Sequence, residues 1–331
     1  MPPTGPSHAV LVNPRADRAD DALVARLREL VPPEHVFISD APDAYPALVA
    51  DLLARGYPTI FTAGGDGTFH RLVNALPASA TPRIGVLPLG AGNAVSGTVS
   101  GDASDPLTDL RRFLHNPSTE SLRLPFCQAE GLRFAFAGLG LDAAALADYR
   151  ALLRRLGKGP LHRLLNGRAG YLTAVFALTF PRRLFLDRVT LRATNLGAPA
   201  HVVARAPDGG AHVVRTVAPG ELLYEGHANA AVFGTSPEFG HRYRLLPLAG
   251  LDPARFHLRL SAVAPTRLLA SLPSLRRGTF THPGLHDFLV DRVRLEFSEP
   301  VPYQLGGDLM GERDHLEIAL SDRAVDLVRF N

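Results

Sequence analysis

FTAGGDGTFHRLVNAL, residues 61–76, changes periodicity in mid-stretch. A β-type run from Tyr57 to Ala63 leads in and a helical period leads out, with Gly64-Gly65-Asp66-Gly67-Thr68 between them. Glycines without Cβ atoms let backbone N–H groups approach a phosphate, and the following helix presents its positive end. The carboxyl end of a parallel strand is also where doubly wound folds bind ligands. An acid among such donors would repel a bare phosphate, so Asp66 points to a phosphate carried with Mg²⁺ or a water shell. Taken alone, a Gly-x-Gly of this kind is more often a tight turn with a solvated Asp.

It does not stand alone. LPLGAGNA, residues 87–94, repeats the logic after the next strand: Gly90, Gly92, Asn93, then a helix. Two neighbouring strands that end in glycine loops make a phosphate-friendly rim. Asn93 either caps the second helix or bonds a ligand, and capping is the commoner role for Asn there.

Outward from these loops, strands alternate with helices from HAVLVNP to about residue 120, which predicts a parallel sheet with helices on both faces. From Ser121 the pattern turns to β, apart from helical stretches at about 142–180 and in PTRLLASLPSLRRG, read as one helix. Turn signals every 8–12 residues or so predict a sandwich or barrel. Glu130-Gly131 and APDGGA (206–211) read as hairpin turns, and Gly56 as a helix stop. The fold expected is thus a doubly wound α/β domain over 1–121 and a β-sandwich over 122–311.

Composition removes other classes. The 331 residues are 46% hydrophobic and 20% charged, an ordinary globular balance. A net charge of only +3 argues against a dedicated nucleic-acid binder. Lys158, in LGKGP, is the only lysine, so neither a P-loop nor a protein-kinase strand lysine is available. The lone Cys127 excludes an intrachain disulfide and argues against a cysteine-based zinc site. His162 and the other histidines lack metal spacing and read as surface or core. With no signal peptide and no apolar run of 18 residues, a cytoplasmic protein is expected, meeting a membrane if at all from the side. Residues 149–185 join cations to apolar residues, as an interfacial helix would, though a core helix with a solvated face reads the same.

GGDGT (64–68) with LPLGAGN (87–93) resembles the lipid kinases that include diacylglycerol, sphingosine and ceramide kinases; NAD kinases and phosphofructokinases share GGDGT more distantly. VLVNPRAD (10–17), AGLGLDA (137–143), FGTSPEFGHRYRLLPLAGLD (233–252) and VPYQLGGD (301–308) resemble further segments of that family. The resemblance implies an α/β nucleotide domain and a β-sandwich lipid domain, with the last strands, about 312–331, returning to the first. It implies ATP as phosphate donor, Mg²⁺, and a lipid acceptor at a membrane surface, the inner face in a bacterial setting; a homodimer is compatible with it. Asn13, Pro14, Ser39, Gly64, Gly65, Asp66, Gly67, Thr68, Leu89, Gly90, Ala91, Gly92 and Asn93 would line the nucleotide, and Asp66 would position Mg²⁺.

Four departures stand out. His70-Arg71 replaces the family's Asn-Glu after GGDGT, and Gly92-Asn93-Ala94 looks more like sphingosine kinases than diacylglycerol kinases. Pro253-Ala254 replaces an Asp-Gly, leaving Asp252 as one weak ligand for a second Mg²⁺. Gly306-Gly307-Asp308 replaces Asp-Gly-Glu, whose Glu the family uses as general base, so Asp308 becomes the proton acceptor, one methylene shorter. Asp142 reads as a helix cap, with head-group recognition as the other choice. Beside a diacylglycerol-like or sphingoid lipid kinase stand two alternatives: a nucleotide- or lipid-binding sensor without turnover, and an NAD kinase-like small-substrate kinase.

Overall fold

The computed structural model describes residues 8–39, 41–99, 105–116, 120–157, 159, 161, 165, 168–179, 189–206 and 210–330. Lys158, His162 and the tip of the 206–211 turn lie outside these, as do 180–185 and several other positions of the 149–185 segment. The chain forms two compact units. One runs to Pro125 and resumes at Asp322; the other covers Phe126–Ser321.

The first unit is the α/β layer. Strands β1 (Ala9–Val12), β2 (Val36–Ile38), β3 (Thr59–Gly64) and β4 (Arg83–Pro88) pair in parallel in the order β4-β3-β1-β2. Helices α1 (Asp21–Leu30), α2 (Tyr45–Ala54), α3 (Asp66–Ala75), α4 (Ala94–Gly97) and α5 (Pro106–His115) connect and follow them. A parallel strand is covered on both faces, so AVLV of β1 and TIFTAG of β3 are buried at every position. Gly85 is required by packing: a Cβ there would sit 2.1 Å from the Phe61 ring. Phe61 in turn meets Phe113 of α5 edge-on at 4.8 Å between ring centres. Asp20 and Asp105 cap α1 and α5 through bonds of 2.7 Å and 2.9 Å from Leu23 N and Thr108 N. Gly56, at φ +72, follows α2 as the expected stop.

The second unit is antiparallel. Strands β7 (Phe136–Gly140), β8 (Thr190–Asn195), β9 (Ala200–Arg205), β10 (Ala211–Val217), β11 (Leu222–His227), β12 (Ala230–Gly234), β13 (Phe256–Ser261), β14 (Leu285–Val290) and β15 (Arg292–Leu305) follow the order β10-β9-β14-β13-β12-β7-β15, with β8 pairing β15 and β11. β5 (Ser121–Ala129) and β6 (Leu132–Phe134) meet at Glu130 and Gly131, whose φ angles of +51 and +78 make the expected tight turn. The final strand, β16 (Asp308–Val328), pairs with β15 and ends in the first unit, where Leu327 pairs in parallel with Ile84 of β4. The parallel α/β unit, the antiparallel unit and the returning C-terminus are those the sequence implied.

Two local expectations change. β15 and β16 are each one long strand, where turn signals every 8–12 residues or so implied short ones, RVRLEFSEP and VPYQLGG for the first and HLEIALS and AVDLVRF for the second. Pro300 and Pro302 cannot donate to the ladder, and the β15–β16 register shifts beside them, between Glu296 and Val301 and between Pro302 and Gln304. PTRLLASLPSLRRG is two helices, α8 (Pro265–Ala270) and α9 (Leu272–Arg277). Pro273 has no N–H for the preceding turn and clashes with it, so the helix breaks at Ser271. Two further α-helices among the described residues are α6 (Leu141–Leu156) and α7 (Arg168–Ala174), the latter running into a π-helix over Val175–Thr179.

Alternate residues of β13 and β14 build opposite faces. Phe256, Leu258, Leu260, Phe288 and Val290 enter the main apolar core. His257, Arg259 and Asp287 occupy the other face and are all buried. Asp287 accepts from His257 Nε2 at 2.8 Å and from Arg259 Nε and Nη2 at 2.6 Å and 3.0 Å. Leu248 N donates to His257 Nδ1 at 3.4 Å, which leaves Nε2 carrying the imidazole proton. Burial alone would raise the Asp287 pKa, but Arg259 and then His257 outweigh it and hold the carboxyl well below its usual range. Burial lowers that of His257 and keeps it neutral. Arg259→Leu should therefore cost about 3–5 kcal/mol of stability near neutral pH, because it strands a buried carboxylate. The Asp287 contribution is complete above the unfolded carboxylate pKa of about 3.9 and is lost as pH falls through the lower folded value, so the deficit shrinks in acid. Urea melts of both proteins across that range test this; a deficit that does not change with pH would refute it.

Candidate functional site

The first glycine loop closes over a small side chain. A Cβ on Gly64 would lie 2.3 Å from Thr68 Oγ1, so only glycine fits above the buried Thr68. Thr68 Oγ1 also accepts from Asn13 Nδ2 at 3.0 Å, and Asn13 Oδ1 accepts from Arg15 N at 2.9 Å. Asn13 thus ties the end of β1 to the first turn of α3. Pro14 lies just beyond β1, which ends at Val12. Ser39 is buried; its Oγ donates to Val12 O at 3.3 Å and meets Tyr45 Oη at 3.2 Å.

The second loop, Leu89–Asn93, lies against the first. Leu89 N donates to Gly64 O at 2.9 Å. A Cβ on Gly90 would come 2.5 Å from Gly65 Cα, so the two backbones touch where neither residue has a side chain. Asn93 adopts the left-handed conformation at φ +50. Its Oδ1 accepts from Gly90 N at 2.9 Å and its Nδ2 donates back to Gly90 O. Asn93 therefore pins its own loop and makes no side-chain cap on α4. Ala91 N donates to Asp17 Oδ2 at 2.8 Å, which adds a residue the sequence reading did not single out. Gly65, Asp66, Gly67, Ala91 and Gly92 stay partly open to solvent while Gly64, Thr68, Leu89, Gly90 and Asn93 are buried.

Asp66 bridges the loops. Its Oδ2 accepts from Ala94 N at 3.0 Å and its Oδ1 from Val95 N at 2.9 Å. The carboxylate thus covers two orphan donors at the start of α4, 28 residues further on. Asp66→Ala should release both amides and cost about 2 kcal/mol, since bonds to a charged acceptor are among the stronger ones. Hydrogen exchange at Ala94 and Val95 is the direct readout; protection equal to wild type would remove the bridge.

In the second unit, Gly306 (φ +55) and Gly307 (φ +87) form a two-residue hairpin turn between Leu305 and Asp308. Gln304 braces it: Gly307 N donates to Gln304 Oε1 at 2.8 Å, and Gln304 Nε2 donates to Asp142 Oδ2 at 3.0 Å. Arg150 of α6 donates through Nη2 to Gly307 O at 2.5 Å and to Asp308 Oδ1 at 3.3 Å. Desolvation pushes the Asp142 carboxyl up to about 7, partly offset by the Gln304 bond. Asp142 makes no helix-cap bond; Gly140 holds the cap position of α6, which has no side-chain cap bond. A Cβ on Gly138 would lie 2.4 Å from Asp142 Oδ2, so that glycine makes the room for the acid. Gln304 lies in VPYQLGGD and Arg150 in the 149–185 stretch, but no spacing marked them as partners of Asp142 and Asp308.

Asp252 is engaged by its own loop. Ala254 N donates to its Oδ1 at 2.9 Å and Arg255 Nη1 pairs with its Oδ2. Desolvation would raise its pKa, but Ala254 N–H and Arg255 outweigh this and hold it below the usual value. Among the described residues, no group of three or more His, Cys, Asp or Glu side chains could hold a metal. The donor set does not build a resident cation site. It is compatible with a cation that arrives on a triphosphate, because Mg²⁺ commonly takes one or two carboxylates and completes its shell with phosphates and water.

No curated protein matches the chain. A solved diacylglycerol kinase structure from Bacillus anthracis str. Sterne superposes with a TM-score of 0.60 at 15% identity, covering 98% of this chain and 97% of that one. Two more structures from that strain, given the same name provisionally, superpose at 0.66 with 16% identity and the same coverage. At such identities the likeness is one of fold. Residues 7–121, which hold both glycine loops, match the diacylglycerol kinase catalytic domain. Over that segment, about a third of its length, the chain is similar to the diacylglycerol kinase-like family.

Proposed function

We propose that the protein transfers the γ-phosphoryl group of ATP, taken as its Mg²⁺ complex, to the hydroxyl of a diacylglycerol-like or sphingoid lipid. The observation that carries this is the pair of touching glycine loops, joined by Asp66, inside the segment that matches the kinase catalytic domain. Partly open backbone at Gly65, Gly67, Ala91 and Gly92 suits a polyphosphate, which needs donors and close approach more than side chains. In the transfer the lipid oxygen bonds to the γ-phosphorus, the bond from that phosphorus to the bridging oxygen breaks, and ADP leaves. The hydroxyl proton passes to the Asp308 carboxylate. Asp308 suits the task because Arg150 holds its carboxylate and the turn before it is fixed by Arg150 and Gln304. Phosphoryl transfer asks mainly for positioning and charge neutralisation, so a sparse set of groups suffices.

The test is transfer from γ-labelled ATP to diacylglycerol, phosphatidylglycerol, sphingosine, ceramide and monoacylglycerol in mixed micelles, with NAD as a soluble acceptor. One labelled lipid and unlabelled NAD is the expected result. Labelled NAD alone would move the protein to the small-substrate kinases. Bound nucleotide with no labelled acceptor would mark it as a sensor.

A further inference from the structure

Between Gly240 and Leu285 the sequence holds seven arginines and a single carboxylate, Asp252. The chain as a whole carries only +3, so this is a local concentration. Two of the seven are engaged in ion pairs, Arg255 with Asp252 and Arg259 with Asp287. Arg244, Arg267, Arg276 and Arg277 are exposed and, among the described residues, none of them pairs with a carboxylate.

The fold gathers these four on the outer side of one small layer. Helices α8 and α9 turn Leu268, Leu272 and Leu275 onto Tyr243, Val263 and Phe280. That packing leaves Arg267, Arg276 and Arg277 facing solvent. Arg244 joins them at the end of α9, where a Cβ on Gly278 would lie 3.0 Å from Arg244 Cβ. Protein surfaces ordinarily intersperse both signs of charge, because like charges repel and lower stability. A one-sign patch of guanidinium groups is suited to phosphate, which arginine can grip with two parallel bonds. Each helix is six residues long and amphipathic, so the layer can lie along a surface but not enter one deeply.

We propose that this face docks the protein on the phosphate-bearing surface of an anionic lipid bilayer. The choice of a bilayer rests on the lipid-kinase reading above; the charge and layout of the patch do not. Charge complementarity selects the occupant: an acidic headgroup layer offers many phosphates in one plane, and the four arginines have no acid of their own to satisfy them.

The experiment is co-sedimentation of the full chain with vesicles of phosphatidylcholine alone and of phosphatidylcholine with phosphatidylglycerol. Wild type is expected to bind only the second, and less tightly as salt rises. The double variant Arg276→Gln/Arg277→Gln should lose about 30-fold in partitioning, roughly fivefold for each arginine removed. Both positions are exposed, so its thermal melt should match wild type. Equal binding by wild type and variant would overturn the proposal, as would equal binding to both vesicle types. Tighter, arginine-dependent capture by duplex DNA than by the anionic vesicles would overturn it in favour of another polyanion. Micelle phosphorylation by the same proteins separates the two readings. Arginine-dependent vesicle binding without turnover on any lipid leaves the docking face and removes the kinase; lipid turnover without vesicle binding does the reverse.

Discussion

Asp308→Asn is expected to lower the turnover of lipid phosphorylation by about 10²–10⁴-fold, the range for loss of a positioned general base. Asn keeps the shape and can still accept the Arg150 bond through its amide oxygen, so the hairpin at Gly306 and Gly307 should survive. What disappears is the capacity to take a proton. The loss should fall on kcat, with KM for ATP and for the lipid little changed, because an interaction used only as the proton moves does not contribute to ground-state binding. A rise in KM at constant kcat would show Asp308 binding substrate rather than taking its proton. Wild-type turnover would take Asp308 out of the chemistry. Arg150 and Gln304 act through Asp308 and its turn, so neither is assigned a chemical role.

Gly90→Ala is expected to weaken nucleotide binding severely and to destabilise the first unit by about 1–3 kcal/mol, as overpacking does. The new methyl would sit 2.5 Å from Gly65 Cα and 3.1 Å from Asn93 Oδ1. The nearest obstacle is backbone, so no side-chain rotation relieves it. The two loops must separate, and with them the bonds of Asp66 to Ala94 and Val95 and of Leu89 to Gly64. Gly240→Ala is the control: nothing lies within 4 Å of a Cβ there, and that change should be close to neutral. Thermal melting and equilibrium binding of a fluorescent ATP analogue measure both effects. A Gly90→Ala protein that melts and binds like wild type would mean that the loops tolerate separation and that their contact is not needed for the nucleotide.

The break in PTRLLASLPSLRRG shows a signal that was legible yet outweighed. Pro273 stands in the sequence, but the leucine spacing runs on through it and reads as one helix. The long strands β15 and β16 show the opposite weighting: Pro300 looks like a strand end, yet the chain continues through a register shift.

What the sequence by itself determined is whatever has a local physical cause. Glycines between a strand and a helix mark a loop that needs backbone exposed, and buried apolar runs separated by helices mark a parallel sheet. Mostly β patterning from Ser121 onward, interrupted by only two helical stretches, marks the antiparallel unit. Glu130-Gly131 marks a turn because both residues must take positive φ. Tertiary structure alone decided the partners. Asp66 meets amides 28 and 29 residues away, Asp17 one 74 away, and Arg150 reaches Asp308 across 158 residues. His257 and Arg259 read as ordinary alternating strand residues, and the strand that carries Asp287 was not read at all, until β13 and β14 pair and bury the three together. A hydrogen bond between distant residues leaves no period and no propensity in the sequence. It exists only once packing has excluded water from both groups and left each the other as its partner.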